Sequence, residues 1–379
     1  MSARPLRVAY LIDDWARGGT EKQLAMLIDH LDRTEVQPSL FLLRPASPGV
    51  ITPVLEDCPV ERLGVGRLRS LSTWRIARQF RQTLRRGQFD VVQTYFADSS
   101  YFGIPLARWA GVPLVLRTRN NLGYWMKRRD RLMARLVNSM TDATIANCEA
   151  SREAMIADES YPTARVHVIQ NGIDIETFQR ISNEPFSNLR RPPCVGMIAN
   201  LREVKTPDIF LEAAAEIAAE FPQVTFRLAG EGPLRPRLEH RIAELGLTGR
   251  FELVGLIDEP ATFLAELDIA VLSSSSEGLS NAVMEYMASG RAIVATNVGA
   301  MEELIDNGVT GLLVPPGNPT ELTAGITRLL RNHDVAKTMG AAARRIVQNR
   351  YDPQLRAQQF VQLYRSLLRR SRLRTPNAY

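Results

Sequence analysis

Short apolar runs alternate with helical patterns along this chain, and the alternation stops once and starts again. Leu6 to Ile12, Ser39 to Leu43, Phe89 to Thr94, Leu114 to Arg117, Ala143 to Ala146 and Val166 to Ile169 read as strands, with helical patterns between most of them. That order predicts βαβ units in a parallel sheet. From Gln179 to Pro193 the periodicity lapses into a polar stretch containing Ser182-Asn183-Glu184-Pro185 and ending in Arg190-Arg191-Pro192-Pro193, which suits a domain linker. Beyond it Cys194 to Ala199, Val224 to Ala229, Phe251 to Val254, Asp268 to Leu272, Ala292 to Ala295 and Gly311 to Val314 read as strands, separated by helical stretches such as Pro207 to Glu220 and Leu234 to Leu245. The expectation is an α/β chain of two doubly wound domains in tandem, residues 1–178 and 194–352, with binding loops at the carboxyl ends of the strands and a cleft between the domains as the active site. A C-terminal helix and basic tail, 353–379, complete it. The length of 379 residues agrees, being too great for one ordinary core.

The most telling stretch for chemistry is Ser276-Glu277-Gly278-Leu279-Ser280-Asn281-Ala282-Val283-Met284-Glu285. It follows a strand, and its Gly/Ser loop runs into an apolar helix that Ser280 or Asn281 can cap. A helix start at the carboxyl end of a parallel strand offers unpaired N–H groups to phosphate. Glu285, one turn in, can grip the paired hydroxyls of a ribose while Glu277 reaches a sugar, so the stretch reads as a nucleotide-sugar socket. Taken alone, the two glutamates equally suit a helix start favoured by the macrodipole.

Three further features add weight. Arg17-Gly18-Gly19-Thr20-Glu21 follows the first strand and precedes the helical run Lys22 to Leu31, where paired glycines let the backbone approach a ligand and the helix start favours an anion. Ala199-Asn200-Leu201-Arg202-Glu203-Val204-Lys205 follows the first strand of the second domain, and Arg202 with Lys205 can converge on a diphosphate. Gly230, in Leu228-Ala229-Gly230-Glu231-Gly232-Pro233, and Ile257, in Gly255-Leu256-Ile257, end the next two strands and can frame a nucleobase. Singly, each also reads as an ordinary turn or solvated loop.

In this order the residues resemble the family 4 glycosyltransferases, retaining enzymes of the GT-B fold with two Rossmann-like domains. The resemblance covers nearly the whole chain and is strongest from Val195 to Pro316, where Asn297-Val298-Gly299-Ala300 to Gly311-Leu312-Leu313-Val314 continues the pattern. It implies that Glu277 contacts the transferred sugar, that Glu285 holds the ribose, that Arg202 and Lys205 are the diphosphate-binding pair, and that Gly18-Gly19 is the glycine loop beside the donor. Gly278, Leu279 and Ser280 belong to the same donor loop, and Asn171-Gly172-Ile173-Asp174 is similar to the family's segment before the linker. Two departures stand out. Asn200 occupies the position, five before the lysine, where the family carries its arginine, so the guanidinium role falls to Arg202. Many relatives have histidines after the fourth strand, where this chain reads Val92-Gln93-Thr94-Tyr95-Phe96, so Tyr95 or Asp98 takes over contacts there.

The resemblance further implies net retention, the acceptor hydroxyl attacking from the leaving-group side and passing its proton to a donor phosphate oxygen. The protein then supplies positioning and cationic stabilisation of the departing diphosphate. No Asp-x-Asp triplet occurs, which argues against a metal-clamped diphosphate. The expected donor is a nucleoside diphosphate sugar carrying a hexose or derivative, and the expected acceptor a glycan or lipid-linked molecule, with no cofactor. A sugar-nucleotide epimerase of the same fold and a non-catalytic bilobal sugar-binding protein are the alternatives. A nicotinamide oxidoreductase or P-loop ATPase would need Gly-x-Gly-x-x-Gly or Gly-Lys-Ser/Thr, and neither is present where required.

Charge narrows the partners. The net charge of +6 is concentrated: no acidic residue occurs from Arg67 to Arg86, where Ile76, Ala77, Phe80 and Leu84 share one helical face and Arg75, Arg78, Arg81, Arg85 and Arg86 lie largely opposite. Lys127, Arg128, Arg129, Arg131 and Arg135 follow Tyr124 and Trp125, and the helical stretch Pro353 to Leu373 carries Leu355, Phe360, Leu363, Tyr364 and Leu367, with Arg365, Arg369, Arg370, Arg372 and Arg374 around its end. Such segments suit either an anionic membrane surface or core-packed helices with a solvated basic side. No zinc-finger spacing or aromatic-rich RNA signature accompanies them, so nucleic acid is not expected. Cys58, Cys148 and Cys194 specify neither a disulfide framework nor a zinc site, and His30, His167, His240 and His333 lie at no metal-ligand spacing. With no transmembrane run and no signal-like segment after Met1, a cytosolic enzyme is expected, peripheral at the membrane if the basic helices bind there.

Overall fold

The computed structural model describes residues 4–15, 18–46, 54–124, 126–181, 185–186 and 191–374. Arg17, Trp125, Ser182, Asn183, Glu184 and Arg190 lie outside them, as do the side chains of Arg372 and Arg374. The chain divides into two compact units, Met1–Gly172 with Pro353–Tyr379, and Ile173–Asp352.

The first unit runs β1 (Leu6–Ile12), α1 (Gly19–Asp29), β2 (Val36–Leu42), β3 (Val60–Arg62), α2 (Leu71–Gly87), β4 (Val91–Thr94), α3 (Ala97–Ala110), β5 (Leu114–Arg119), α4 (Arg128–Ser139), β6 (Ala143–Ala146), α5 (Glu149–Glu159) and β7 (Val166–Val168). Its seven strands are parallel, in the order β3-β2-β1-β4-β5-β6-β7. Side chains alternate across the sheet, so β1 feeds two cores. Val8, Tyr10 and Ile12 pack with Leu24, Leu27 and Ile28 of α1 and with Phe360, Val361, Tyr364 and Leu368 of the last helix, Pro353–Arg374. Ala9 and Leu11 pack on the other side with Phe80 and Leu84 of α2, Phe102, Ile104 and Leu106 of α3 and Val137 of α4. Tyr364 anchors the last helix through its hydroxyl, which donates to Gln93 Oε1 at 2.6 Å and lies 3.3 Å from the Tyr10 hydroxyl. Leu355, read as apolar-face, is exposed, and Arg356 is buried instead. Its guanidinium lies over the Phe360 ring and donates to the Gln23 carbonyl at 2.8 Å, which places a charge where spacing alone expects a hydrophobe.

The second unit runs α6 (Ile175–Ile181), β8 (Cys194–Ile198), α7 (Pro207–Glu220), β9 (Thr225–Ala229), α8 (Arg235–Glu244), β10 (Phe251–Gly255), α9 (Pro260–Ala265), β11 (Ile269–Leu272), α10 (Asn281–Ala288), β12 (Ala292–Thr296), α11 (Met301–Leu304), β13 (Leu312–Val314), α12 (Pro319–Arg331) and α13 (His333–Arg350). Its six parallel strands lie in the order β10-β9-β8-β11-β12-β13. The entry is fastened by Asp268, a buried carboxylate at the start of β11. It accepts from both terminal nitrogens of Arg191 at 2.7 and 2.8 Å, from the Cys194 amide at 2.9 Å and from the Phe186 amide at 2.6 Å. Phe186 itself is buried and stacks on His333, so this part of the polar stretch is packed against the unit.

Strand order reverses between β1 and β4 in the first unit and between β8 and β11 in the second. Loops at the carboxyl ends of such a pair splay apart, leaving a crevice in each sheet.

Candidate active site

In the second unit the loops after β8 and β11 flank the crevice and meet. The Ser275 amide donates to the Val204 carbonyl at 2.9 Å, the Ser273 hydroxyl lies 3.0 Å from the carbonyls of Lys205 and Thr206, and the Thr206 hydroxyl donates back to Ser273. This stitching brings the Lys205 ammonium to 2.5 Å from Glu277 Oε1, and the Ser274 hydroxyl donates to the same oxygen at 2.6 Å. Among the described residues nothing bonds Glu277 Oε2, and an ammonium has three donors, so each partner keeps bonding capacity for a ligand. Arg202 is exposed at the head of the short 3-10 turn Glu203–Lys205, and Asn200 is exposed beside it. No ion pair of Arg202 occurs among the described residues. One cation is therefore held against the carboxylate while the other projects from the same loop.

Two glycines permit the loops to close this tightly. Gly230 has φ +143°, and a Cβ there would overlap the Ala199 carbonyl oxygen of the β8 loop. Gly299 has φ +60°, and a Cβ there would overlap the Glu277 carbonyl oxygen. The Gly230 amide donates to the Gly255 carbonyl at 2.7 Å, so the ends of β8, β9 and β10 form one continuous rim, with Ile257 half-buried just beyond. Gly278, Leu279 and Ser280 are buried where the loop enters α10, and the Ser280 hydroxyl accepts from the Val283 amide at 3.4 Å, making Ser280 the cap. Glu285 lies in the second turn of α10, largely buried. Its neighbour Tyr286 sends its hydroxyl under the crevice, accepting from the Ile198 amide at 2.8 Å and lying 3.2 Å from the Val271 carbonyl. That bond crosses the two strands at the reversal, and burial pushes the phenol well above its ordinary pKa. Sequence reasoning missed Tyr286, whose only signal is its place directly after Glu285.

In the first unit the loops after β1, β2, β4 and β5 crowd the other reversal. Gly18 precedes α1 and Gly19 begins it, and the Glu21 side chain folds back over Gly18 so closely that a Cβ would strike its carboxylate. Asp13, directly after β1, accepts from the Ser99 amide at 2.7 Å and hydroxyl at 2.5 Å, and burial pushes its carboxyl above the ordinary range. Asp98 is ion-paired with Arg44, which follows β2, and Asn120 after β5 donates to the Thr20 hydroxyl at 3.4 Å. Tyr95 sits in the core, 3% exposed, its hydroxyl accepting from Gln93 at 2.8 Å. At this corner the ring that reaches the surface is that of Phe96, held at φ +65° and ψ 174°. Asp13, Arg44, Phe96 and Asn120 escaped sequence reasoning, although each stands within two residues of a strand's carboxyl end.

Comparison with known proteins agrees with this geometry. A family model described as a glycosyl transferase 4-like domain matches residues 18–172, and one described as glycosyl transferases group 1 matches residues 192–332. The chain is 26% identical over 295 residues to an alpha-D-kanosaminyltransferase of Streptomyces kanamyceticus, a match covering 71% of this chain and 74% of that protein. It is 27% identical over 248 residues to an Escherichia coli UDP-Gal:alpha-D-GlcNAc-diphosphoundecaprenol alpha-1,3-galactosyltransferase, covering 61% and 64%. The crystal structure of Anabaena Alr3699/HepE in complex with UDP and glucose shares the fold, with a TM-score of 0.82 at 22% identity over 95% of this chain and all of that one. Two matched domains spanning most of the chain, on two parallel sheets with their loops gathered at the reversals, identify it as a member of the family 4 glycosyltransferases of the GT-B fold.

Proposed function

We propose that the protein transfers a hexose or hexose derivative from a nucleoside diphosphate sugar to a glycan or lipid-linked acceptor, with retention of anomeric configuration and without a metal ion. The observation that carries this reading is the Lys205–Glu277 pair at the β8/β11 crevice, with Arg202 beside it. In this reading Lys205 and Arg202 neutralise the diphosphate as the anomeric C–O bond breaks, Glu277 Oε2 accepts from a sugar hydroxyl, and Glu285 receives the ribose. The acceptor oxygen bonds to the anomeric carbon on the face the diphosphate leaves, and its proton passes to a donor phosphate oxygen. Stabilising the charge that develops on the leaving group is where a fixed cation contributes most. Gly230 and Ile257 frame the base, and the loops of the first unit with Asp13, Phe96 and Asp98 receive the acceptor. The lipid-linked option draws on the acceptor written in the name of the Escherichia coli relative.

The test is a screen of nucleoside diphosphate sugars by thermal shift, since selective binding raises the melting temperature by mass action. It is followed by transfer assays with and without chelator and assignment of the anomeric configuration by NMR. Turnover that survives chelation and yields the donor's anomeric configuration is the expected outcome. Inverted product, or activity abolished by chelation and restored by a divalent metal, defeats the mechanism.

A further inference from the structure

We propose that the outer surface of α2, α3 and α4 is a docking face for an anionic lipid bilayer, with α4 as the inserting helix. The proposal rests on the glycosyl-transfer reading for its purpose, because a lipid-linked acceptor is presented at a bilayer. The binding itself needs neither donor nor acceptor.

The two basic helices look alike in sequence, and the structure separates them. In α2 Phe80 and Leu84 turn into the core, while Arg75, Arg78, Arg81, Arg85 and Arg86 are exposed together with Leu71 and Trp74 at the helix start. α4 is oriented the other way. Its inner face buries Ala134, Val137 and the polar Asn138, and its leucines face out, Leu132 at 68% and Leu136 at 58% exposure, with Met133 beside them. At about 100° per residue, Leu132 and Leu136 stand nearly opposite the buried face, bracketed by Arg128 and Arg135 on one side and Arg129 on the other. A ridge of leucine with arginines along its flanks suits a helix lying in the plane of the headgroups, its apolar edge in the acyl boundary.

The three helices form one layer. Phe80, Phe102 and Val137, one from each, share a core cluster against the same side of the sheet. The outer surface of that layer carries Trp74 at 72% and Trp109 at 61% exposure, with the Arg81 guanidinium donating to the Trp109 carbonyl at 3.0 Å. Exposed indoles among arginines favour the boundary between headgroup and hydrocarbon. α2 contains no acidic residue, so its arginines add in attracting anionic headgroups. Nucleic acid would use the same charges but gives Leu132 and Leu136 nowhere to go.

The test is co-sedimentation of the full chain with vesicles of phosphatidylcholine alone and of phosphatidylcholine with phosphatidylglycerol, at low and high salt. The variants are R75Q/R78Q/R85Q and L132S/L136S, all at exposed positions. The expected result is binding to the anionic vesicles only, weakened at high salt, about a hundredfold weaker in the arginine variant and roughly tenfold weaker in the leucine variant. Equal binding to neutral vesicles, no binding at all, or a leucine variant that binds like the parent would overturn the proposal. So would an oligonucleotide captured as tightly as the vesicles by parent and leucine variant alike. Unchanged melting temperatures exclude misfolding of either variant. A parent protein that binds vesicles but shows no thermal response to any nucleoside diphosphate counts against the transferase reading and leaves the docking face standing.

Discussion

The Lys205 ammonium and the Glu277 carboxylate, 72 residues apart in sequence, lie 2.5 Å apart across the β8/β11 crevice, and the Ser274 hydroxyl closes on the same carboxylate oxygen. In the proposed mechanism the pair orients both groups before the donor arrives, so the cation need not be gathered from solvent during the reaction. Preorganisation of this kind is the main source of electrostatic catalysis.

Replacing Lys205 with alanine is expected to lower kcat by about a hundredfold or more, the usual cost of losing a group that stabilises charge developing in the transition state. Folding should be little affected, because Lys205 is partly exposed. Steady-state kinetics beside a thermal melt check this; a tenfold loss or less would show that Arg202 carries the diphosphate alone.

Gly299→Ala is expected to destabilise the second unit by about 1–3 kcal/mol, since it adds a Cβ at φ +60° against the Glu277 carbonyl. Because the overlap falls on the loop bearing Glu277, donor affinity should fall with stability. Gly246→Ala, at φ +68° with open space around it, should cost stability and leave donor affinity alone. Urea titration and nucleotide titration of both variants separate the two effects.

Glu159 is buried between Arg117, at 2.5 Å, and Arg119, with Asn138 donating at 2.7 Å. Burial pushes its carboxyl up, but the two guanidinium groups and the amide prevail and hold it below the ordinary range. A carboxyl depressed on folding contributes stability above its unfolded pKa, about 4.3, and loses it as pH falls through the lower folded value. Glu159→Gln should therefore destabilise by about 3–5 kcal/mol at neutral pH and flatten the acid limb of the melting curve. A variant whose melting temperature falls with acid as steeply as the parent's would show that other carboxyls govern that limb.

Phe360→Ala on the last helix is expected to cost about 3–5 kcal/mol, because the ring is buried against the β1 core. Hydrogen exchange should loosen β1 and α1 of the first unit and leave β8 to β13 as protected as in the parent. Uniform loosening of both units would contradict the division at Gly172 and Pro353.

Periodicity carried most of the fold because strands of a parallel sheet are apolar runs bounded by turns. Leu6–Ile12 and Ala143–Ala146 are read off at their observed limits. The strand that escaped, Val60–Arg62, is three residues long at the sheet edge, where one neighbour and a half-solvated surface demand no apolar run. The candidate site was legible only as loops after strands, which is a statement about chain order. The contacts among those loops were not, because the overlap that requires glycine at 299 comes from residues more than twenty positions away. Nor does spacing distinguish Tyr95 from Phe96. Which ring turns inward is decided by Gln93 and by the backbone at Phe96, which takes φ +65°. The opposite orientations of α2 and α4 were equally hidden, since both carry arginine and leucine at helical intervals.

The last helix supplies Phe360, Val361, Tyr364 and Leu368 to the core that β1 began more than three hundred residues earlier. During synthesis the second unit, continuous in sequence, emerges complete while the first still lacks one wall. A ribosome-bound chain must therefore keep a partly open sheet apart from its neighbours until the helix Pro353–Arg374 leaves the exit tunnel. Premature termination after the second unit would release a polypeptide with one sound half and one adhesive half, a natural client for chaperones.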